Sequence, residues 1–245
     1  MTLLTNMPAT TCQVICERID ILSYNVRGFR LKFIEPKTLP FQAGQFVIVN
    51  VPKNGKVVKR AYSIASTPHE LGALELCIQH VESGIASTYF WGLKEGDKLS
   101  ISGPHGNFLL KQPVDYDLVF MATGTGVAPL RSMIKHIFTI GTNRQVWLLF
   151  GTRYEHSLLY ESEFRTLTKL RPNFHYIPVV SRPKEWRGET GHIQETFKKT
   201  FPNSAQAAAG MEVYLCGWSE VIKSVCSDLA AAGVPKEKLH FEEWA

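Results

Sequence analysis

From Gln13 to about Leu110 the apolar positions fall in short runs rich in Val, Ile, Phe and Tyr, broken by Gly, Pro, Asn and Lys. Runs of that length bounded by turn formers mark strands. The pattern predicts six of them, over Gln13–Ser23, Val26–Phe33, Gln45–Val51, Lys59–Ser63, Ala73–His80 and Lys98–Ser102, with one short helix over Ala86–Trp91. Six strands at near-regular spacing predict an antiparallel β-barrel, because closing a sheet removes its unpaired edges. After Pro113 the pattern changes. Strands over Leu118–Ala122, Gln145–Phe150, His175–Val180 and Met211–Cys216 alternate with helices over Val127–Ile140, Tyr160–Lys169, His192–Phe201 and Trp218–Ala232, and the Ala205–Gly210 stretch reads as a loop or a loose helix end. Strands that are apolar throughout, such as Val146–Phe150, and that alternate with helices predict a parallel sheet covered on both faces. The expected organisation is therefore two domains, an antiparallel six-stranded β-barrel over 1–112 and an α/β parallel-sheet domain over 113–245, with the boundary in Lys111–Asp117.

Composition agrees with this division. A chain of 245 residues suits two domains of about 100 to 150 residues. With 44% hydrophobic and 20% charged residues it reads as a globular protein, and no apolar run reaches the roughly 18 residues of a membrane span. Met1–Thr11 lacks a basic segment followed by an apolar one, so no secretory signal is expected and the cytoplasm is the expected compartment. Five scattered cysteines argue against a disulfide framework. Cys12 and Cys16 would share one side of a strand, where buried packing outweighs a metal or cluster site because no second pair accompanies them. No metal and no iron–sulfur cluster are expected, and none of the eight histidines has the spacing of a metal ligand pair. The net charge of +5 suits an acidic partner or a phosphate-rich ligand, but no dense Lys/Arg block points to nucleic acid. A monomer is expected.

Among the candidate chemical segments, Met121–Leu130 is the strongest. An apolar strand runs into Thr123-Gly124-Thr125-Gly126 and then into a helix, and such a turn lets backbone amides approach a diphosphate at the helix N-terminus. Pro129 stands where the dinucleotide fingerprint has its third glycine, so an ordinary tight turn also fits. Cys216-Gly217 ends a strand just before a helix, where open α/β sheets place ligands, although buried cysteines are usually inert. The strand ends that follow the Gly-rich unit carry Arg153 and Ser181-Arg182 and no carboxylate, which favours NADPH over NADH; solvated surface arginines are the alternative.

Five separated segments then occur in a shared order: Arg60-Ala-Tyr62-Ser63, Gly84-Ile85-Ala86-Ser87, Gly103-Pro104-His105-Gly106-Asn107-Phe108, the Gly124–Pro129 turn and Cys216-Gly217. In that order and spacing the chain resembles the ferredoxin–NADP reductase superfamily over nearly its whole length. The resemblance implies an FAD-binding barrel, an NAD(P)-binding sheet and hydride transfer between nicotinamide and flavin. It makes Arg60 a partner of the FAD diphosphate, Tyr62 a contact to the isoalloxazine and Ser63 a hydroxyl near flavin N5. The amides of Gly84–Ser87 and the Ser87 hydroxyl would hold the diphosphate, with a plain N-cap role for Ser87 as the alternative. Cys216 would approach the nicotinamide, with Ser63 and Glu242 beside the hydride path. Trp244 would cover the flavin, although the plant-type members end in tyrosine, whereas here Ala245 follows and Phe241 is a rival. From its place inside the Gly103–Phe108 turn, His105 is expected near the flavin domain interface.

FAD and NADPH (or NADH) are the implied cofactors, and an acidic electron carrier such as ferredoxin or flavodoxin the implied partner. A flavin reductase or the reductase component of an oxygenase is a second possibility, and a non-catalytic electron-transfer subunit a third.

Overall fold

The computed structural model describes residues 8–244; residues 1–7, on which most of the reading of the N-terminus rests, and Ala245 lie outside the described residues. The chain divides into two compact units. The first holds the described residues up to Leu110 together with Arg131–Gly141, and the second holds Lys111–Leu130 and the described residues from Thr142 onward.

In the first unit six strands, β1 (Thr10–Ser23), β2 (Val26–Glu35), β3 (Phe46–Lys53), β4 (Lys56–Ser63), β5 (Ala73–Gln79) and β6 (Lys98–His105), pair antiparallel in the order β4-β3-β6-β1-β2-β5. The two edge strands meet where the chain leaves β4: Ile64 bridges Leu76, and the Ala65 N–H donates to the Glu75 carbonyl at 2.8 Å. That contact curls the sheet into the predicted barrel. Its interior follows the two-residue period of strands, with Cys12, Val14 and Cys16 of β1 and Val47, Val49 and Val51 of β3 all buried. Cys12 and Cys16 are therefore packing residues, as their spacing predicts. Helix α1 (Ile85–Gly92) adds Ala86 and Phe90 to this core.

The second unit is a parallel sheet of β7 (Asp117–Thr123), β8 (Val146–Thr152), β9 (Phe174–Val180), β10 (Glu189–Thr190), β11 (Met211–Trp218) and β12 (Leu239–Trp244), in the order β10-β9-β8-β7-β11-β12. The helices of this half of the chain are α2 (Val127–Ile140), whose residues from Arg131 group with the first unit, and α3 (Glu161–Leu170), α4 (Ile193–Thr200), α5 (Ser204–Ala207) and α6 (Ser219–Ala231). Leu118–Ala122 of β7 are buried one after another, so both faces of the sheet are covered. Strands β10 and β12 are additions to the predicted set. The first is two exposed polar residues and the second an edge strand with no clean alternation, so neither carries a hydrophobic signal.

At the start of β11, Glu212 is fully buried. It accepts hydrogen bonds from Lys111 and Lys238, each at 2.9 Å, and contacts His240 at 2.8 Å. Among the described residues no helix is long and apolar enough to cross a membrane, and no group of three or more His, Cys, Asp or Glu is gathered as a metal ion would need.

Candidate functional site

In the first unit the site is built from β4 and the start of α1. Register alternation puts Tyr62 opposite Val47, Arg60 opposite Val49 and Val58 opposite Val51, so these three side chains share the face of β3 that points to the core. Tyr62 is half-buried and meets the Phe90 ring of α1 edge-on at 5.4 Å. Burial pushes its phenol up to about 12 against the lowering effect of Arg60, so the hydroxyl stays neutral and the ring offers a fixed flat wall. Arg60 is exposed; its Nη1 donates to the Lys59 carbonyl at 2.8 Å. Ser63 closes β4 opposite Phe46, on the other face of the strand from Tyr62. Phe46 also pairs with His105, and the two rings stack at 5.6 Å.

Helix α1 begins at Ile85 with Gly84 as its N-cap, and no acidic residue occupies the first turn. The amides of Ile85, Ala86 and Ser87 have no partner one turn earlier within the helix, which is the condition for holding an anion. The N-cap alternative for Ser87 is corrected: Ser87 is the third helical residue. Its hydroxyl accepts from the Val81 N–H at 3.1 Å and lies 3.0 Å from the Val81 carbonyl and 3.2 Å from that of Gly84, tying down the preceding turn. A Cβ on Gly84 would come within 2.6 Å of that hydroxyl and 3.0 Å of the Val81 carbonyl, so a larger residue there would have to shift the turn.

In the second unit the chain leaves β7 for β8 on one side and returns to β11 on the other. The carboxyl ends of β7 and β11 therefore flank the switch point, where such sheets bind ligands. There Gly124, at φ +54°, starts the turn Gly124–Gly126, and the Val127 N–H closes onto the Gly124 and Thr125 carbonyls. A Cβ on Gly126 would overlap the Cys216 carbonyl, and one on Gly217 would overlap the Thr123 hydroxyl. Two motifs ninety residues apart are thus packed backbone to backbone. Thr123 Oγ1 is buried with no hydrogen-bond partner among the described residues.

Strand pairing also sets Cys216 opposite Ala122 on one side and Glu242 on the other. Burial, then the Glu242 charge, push the Cys216 thiol well above its usual range, against the opposing Gly217 backbone N–H. Trp244 is half-buried opposite Trp218, while Phe241 is exposed.

Beyond the ends of β8 and β9, the Ser181 N–H donates to Thr152 at 3.0 Å and the Arg182 N–H to Arg153 at 2.8 Å, which sets the two exposed arginines side by side. A carboxylate that the sequence reading missed lies close by. Glu155 accepts the Glu185 N–H at 2.9 Å and contacts the Lys184 N–H at 3.4 Å, and these backbone donors hold its pKa down. It fastens the loop after Arg182. Its place two residues past Arg153 is the signal that could have found it.

The chain matches known proteins along most of its length. The family model of the oxidoreductase FAD-binding domain matches residues 13–109, and that of the oxidoreductase NAD-binding domain matches residues 120–227. The chain is 37% identical over 230 residues to the phenol hydroxylase P5 protein of Acinetobacter pittii, covering 92% of this chain and 63% of that protein. It is 34% identical over 228 residues to ferredoxin–NADP reductase B of Sorangium cellulosum, covering 91% of this chain and 93% of that protein. Among solved structures it is similar to an Amycolatopsis cytochrome P450 reductase, with a TM-score of 0.88 and 26% identity, covering 97% of this chain and 71% of that one. Both anion-ready turns, the Tyr62 wall and the unpartnered Thr123 hydroxyl fit the two cofactors that these domains bind.

Proposed function

Because this chain belongs to the ferredoxin–NADP reductase superfamily, with an FAD-binding and an NAD-binding domain, we propose that it passes hydride between NADPH and FAD and hands the electrons to a separate acidic carrier such as ferredoxin or flavodoxin, acting in the cytoplasm as a monomer. FAD supplies the redox chemistry, taking two electrons together and releasing them singly. The chain supplies binding, orientation and exclusion of water. Arg60 and the amides of Ile85, Ala86 and Ser87 hold the FAD diphosphate beyond Gly84, Tyr62 flanks the flavin, and Ser63 offers a hydroxyl near N5. The amides of Gly124, Thr125 and Gly126 hold the NADPH diphosphate, with Thr123 as a further donor. Cys216 and Gly217 support the nicotinamide, Glu242 holds charge beside it, and Trp244 shields the flavin until nicotinamide arrives. Arg153, Ser181 and Arg182 receive the 2′-phosphate.

The observation that carries this reading is the contact of Gly126 with Cys216-Gly217. It brings the diphosphate turn and the nicotinamide-end residue to one spot, with Glu242 set beside Cys216 by strand register. The net charge of +5 supports an acidic carrier. Similarity to the phenol hydroxylase P5 protein favours a second reading, the reductase component of an oxygenase. The chain spans 63% of that protein, so its partners do not transfer by similarity alone.

An absorbance spectrum of the purified protein, then anaerobic titration with NADPH and with NADH, tests the proposal. Oxidised-flavin bands that bleach more readily with NADPH are expected, and a colourless folded protein that takes up no FAD would refute it. Stopped-flow reoxidation by a ferredoxin, against free FMN and an oxygenase component, separates the acceptors.

A further inference from the structure

Strand β4 pairs with β3 along one side, and its first half is mostly exposed. Past Ser63 the backbone is held differently. The Ile64 N–H donates to the Gln45 carbonyl at 3.0 Å and the Ala65 N–H to that of Glu75, and two side chains of α2 take the carbonyls that follow. Arg131 Nη1 donates to the Ala65 carbonyl at 2.8 Å, and the Ser132 hydroxyl donates to the Ser66 carbonyl at 2.6 Å. The same Arg131 nitrogen donates to Glu75 Oε2 at 2.7 Å, and the Glu75 N–H donates to the Ser66 hydroxyl at 3.0 Å. Arg131, Ser132 and Ser66 are all buried. Met133, Ile134 and Ile137 of the same helix are apolar and fully buried, so apolar contact already holds this part of α2 in place. Replacing a buried ion pair by an apolar side chain of similar size often leaves stability unchanged or raises it, so a charge at Arg131 points to geometry more than to adhesion. The planar guanidinium has fixed N–H directions, and so sets the Ala65 carbonyl in direction as well as distance.

We propose that Arg131 is a positioning residue for the hydride transfer that oxidises NADPH and reduces FAD: by fixing Ala65, two residues past Ser63, it holds the Ser63 hydroxyl and the Tyr62 ring in place. The inference rests on the assignment of those two residues to the flavin. Ile64, the residue between, is bonded to Gln45 and bridged to Leu76, so little slack separates the held carbonyl from Ser63. Hydride transfer is sensitive to such slack, because a misplacement of about 1 Å can cost on the order of 100-fold in rate. The FAD diphosphate is assigned to Arg60 and the first turn of α1, so flavin affinity does not depend on Ala65.

Two measurements test it: amide hydrogen exchange of the flavin-stripped full chain, and stopped-flow reduction of the FAD-loaded chain by saturating NADPH, protiated and deuterated at the transferred position. Arg131→Met keeps the packing and removes the donors. It should speed exchange over Tyr62–Ser66 and slow reduction about 10- to 100-fold, with an isotope effect no smaller than that of wild type. FAD content and the NADPH concentration for half-maximal rate should stay at wild type. Arg131→Lys, which keeps a donor and the charge, should recover most of the rate. Lys135→Ala, on the same helix, removes an ion pair with Glu70 at 2.6 Å that does not involve Ala65, and should change neither exchange over Tyr62–Ser66 nor the rate. Wild-type exchange or wild-type reduction in folded Arg131→Met, or an equal slowing by Lys135→Ala, overturns the inference. Should Arg131→Met fail to fold, Ser132→Ala decides: slower reduction with FAD content unchanged supports it, and an unchanged rate overturns it. A folded wild type whose flavin NADPH does not reduce removes the proposed function instead.

Discussion

Cys216 and Glu242 stand directly opposite each other on the parallel strands β11 and β12, and the carboxylate adds to burial in keeping the thiol protonated. A thiol in that state is a poor nucleophile. Cys12, Cys16 and Cys77 are also buried, which leaves Cys226 as the half-exposed cysteine. With a disulfide thiol reagent at pH 8, no more than one thiol should react quickly in the native protein, while all five react in guanidinium. Rapid native labelling of Cys216, identified by mass spectrometry, would contradict the assignment. Cys216→Ala should slow flavin reduction by NADPH on the order of 10- to 100-fold through lost positioning and leave bound FAD unchanged.

The backbone contact of Gly126 with Cys216 sets a second expectation. An added methyl would have to displace the Cys216 carbonyl, which is backbone and cannot swing aside. Gly126→Ala should cost roughly 1–3 kcal/mol of stability as an overpacking change. It should also weaken NADPH binding while FAD content stays at the wild-type level, because the two cofactors are assigned to different units. Thermal melting and flavin-to-protein absorbance ratios check both halves.

Glu212 makes stability depend on acid. Burial raises its pKa, but hydrogen bonds from Lys238, His240 and Lys111 outweigh that and bring it down to about 2. The folded value lies below the usual 4.5, so the stabilisation is complete above about pH 4.5 and is lost as pH falls through that value towards 2. Glu212→Gln should flatten the denaturant midpoint against pH between about pH 5 and 2. Near neutral pH it should also lower stability, because Lys238 keeps its charge with no anion to meet it. An unchanged midpoint at both ends of that range would refute the role.

The barrel and the parallel sheet were legible because Val47, Val49 and Val51 alternate while Val146–Phe150 do not. Pairing was not legible. Glu242 and Cys216 could each be singled out, but their adjacency depends on β12, an edge strand with little burial to mark it. For the Ser87 hydroxyl the sequence offered a diphosphate contact by resemblance and, as the alternative, a cap, a position serine favours; only the fold reveals its bonds to the Val81 backbone. Glu212 carried an unused signal, an acid inside the otherwise apolar run Met211–Cys216, which requires a cation partner when buried. The hold of Arg131 on Ala65 was hidden because the two meet only through the fold.

Arg153 and Arg182 are brought together by a single backbone hydrogen bond, Arg182 N–H to the Arg153 carbonyl at 2.8 Å, which continues the β8–β9 ladder past both strand ends. Two guanidinium forks at adjoining positions suit a dianionic phosphate, and a hydrogen bond to a charged group contributes about 1.5–3 kcal/mol. Replacing both with alanine should therefore raise KM for NADPH on the order of 10- to 100-fold, leave kcat close to wild type and leave KM for NADH unchanged. The wild-type preference should also shrink as salt rises, since exposed charges are screened. The nearby Glu155 is already bound to backbone N–H groups, so Glu155→Gln should loosen the loop after Arg182 without converting the protein to NADH. Steady-state kinetics with both nucleotides at two ionic strengths decide the matter: equal losses for NADH and NADPH in the double variant would mean that the arginines hold the loops and not the phosphate.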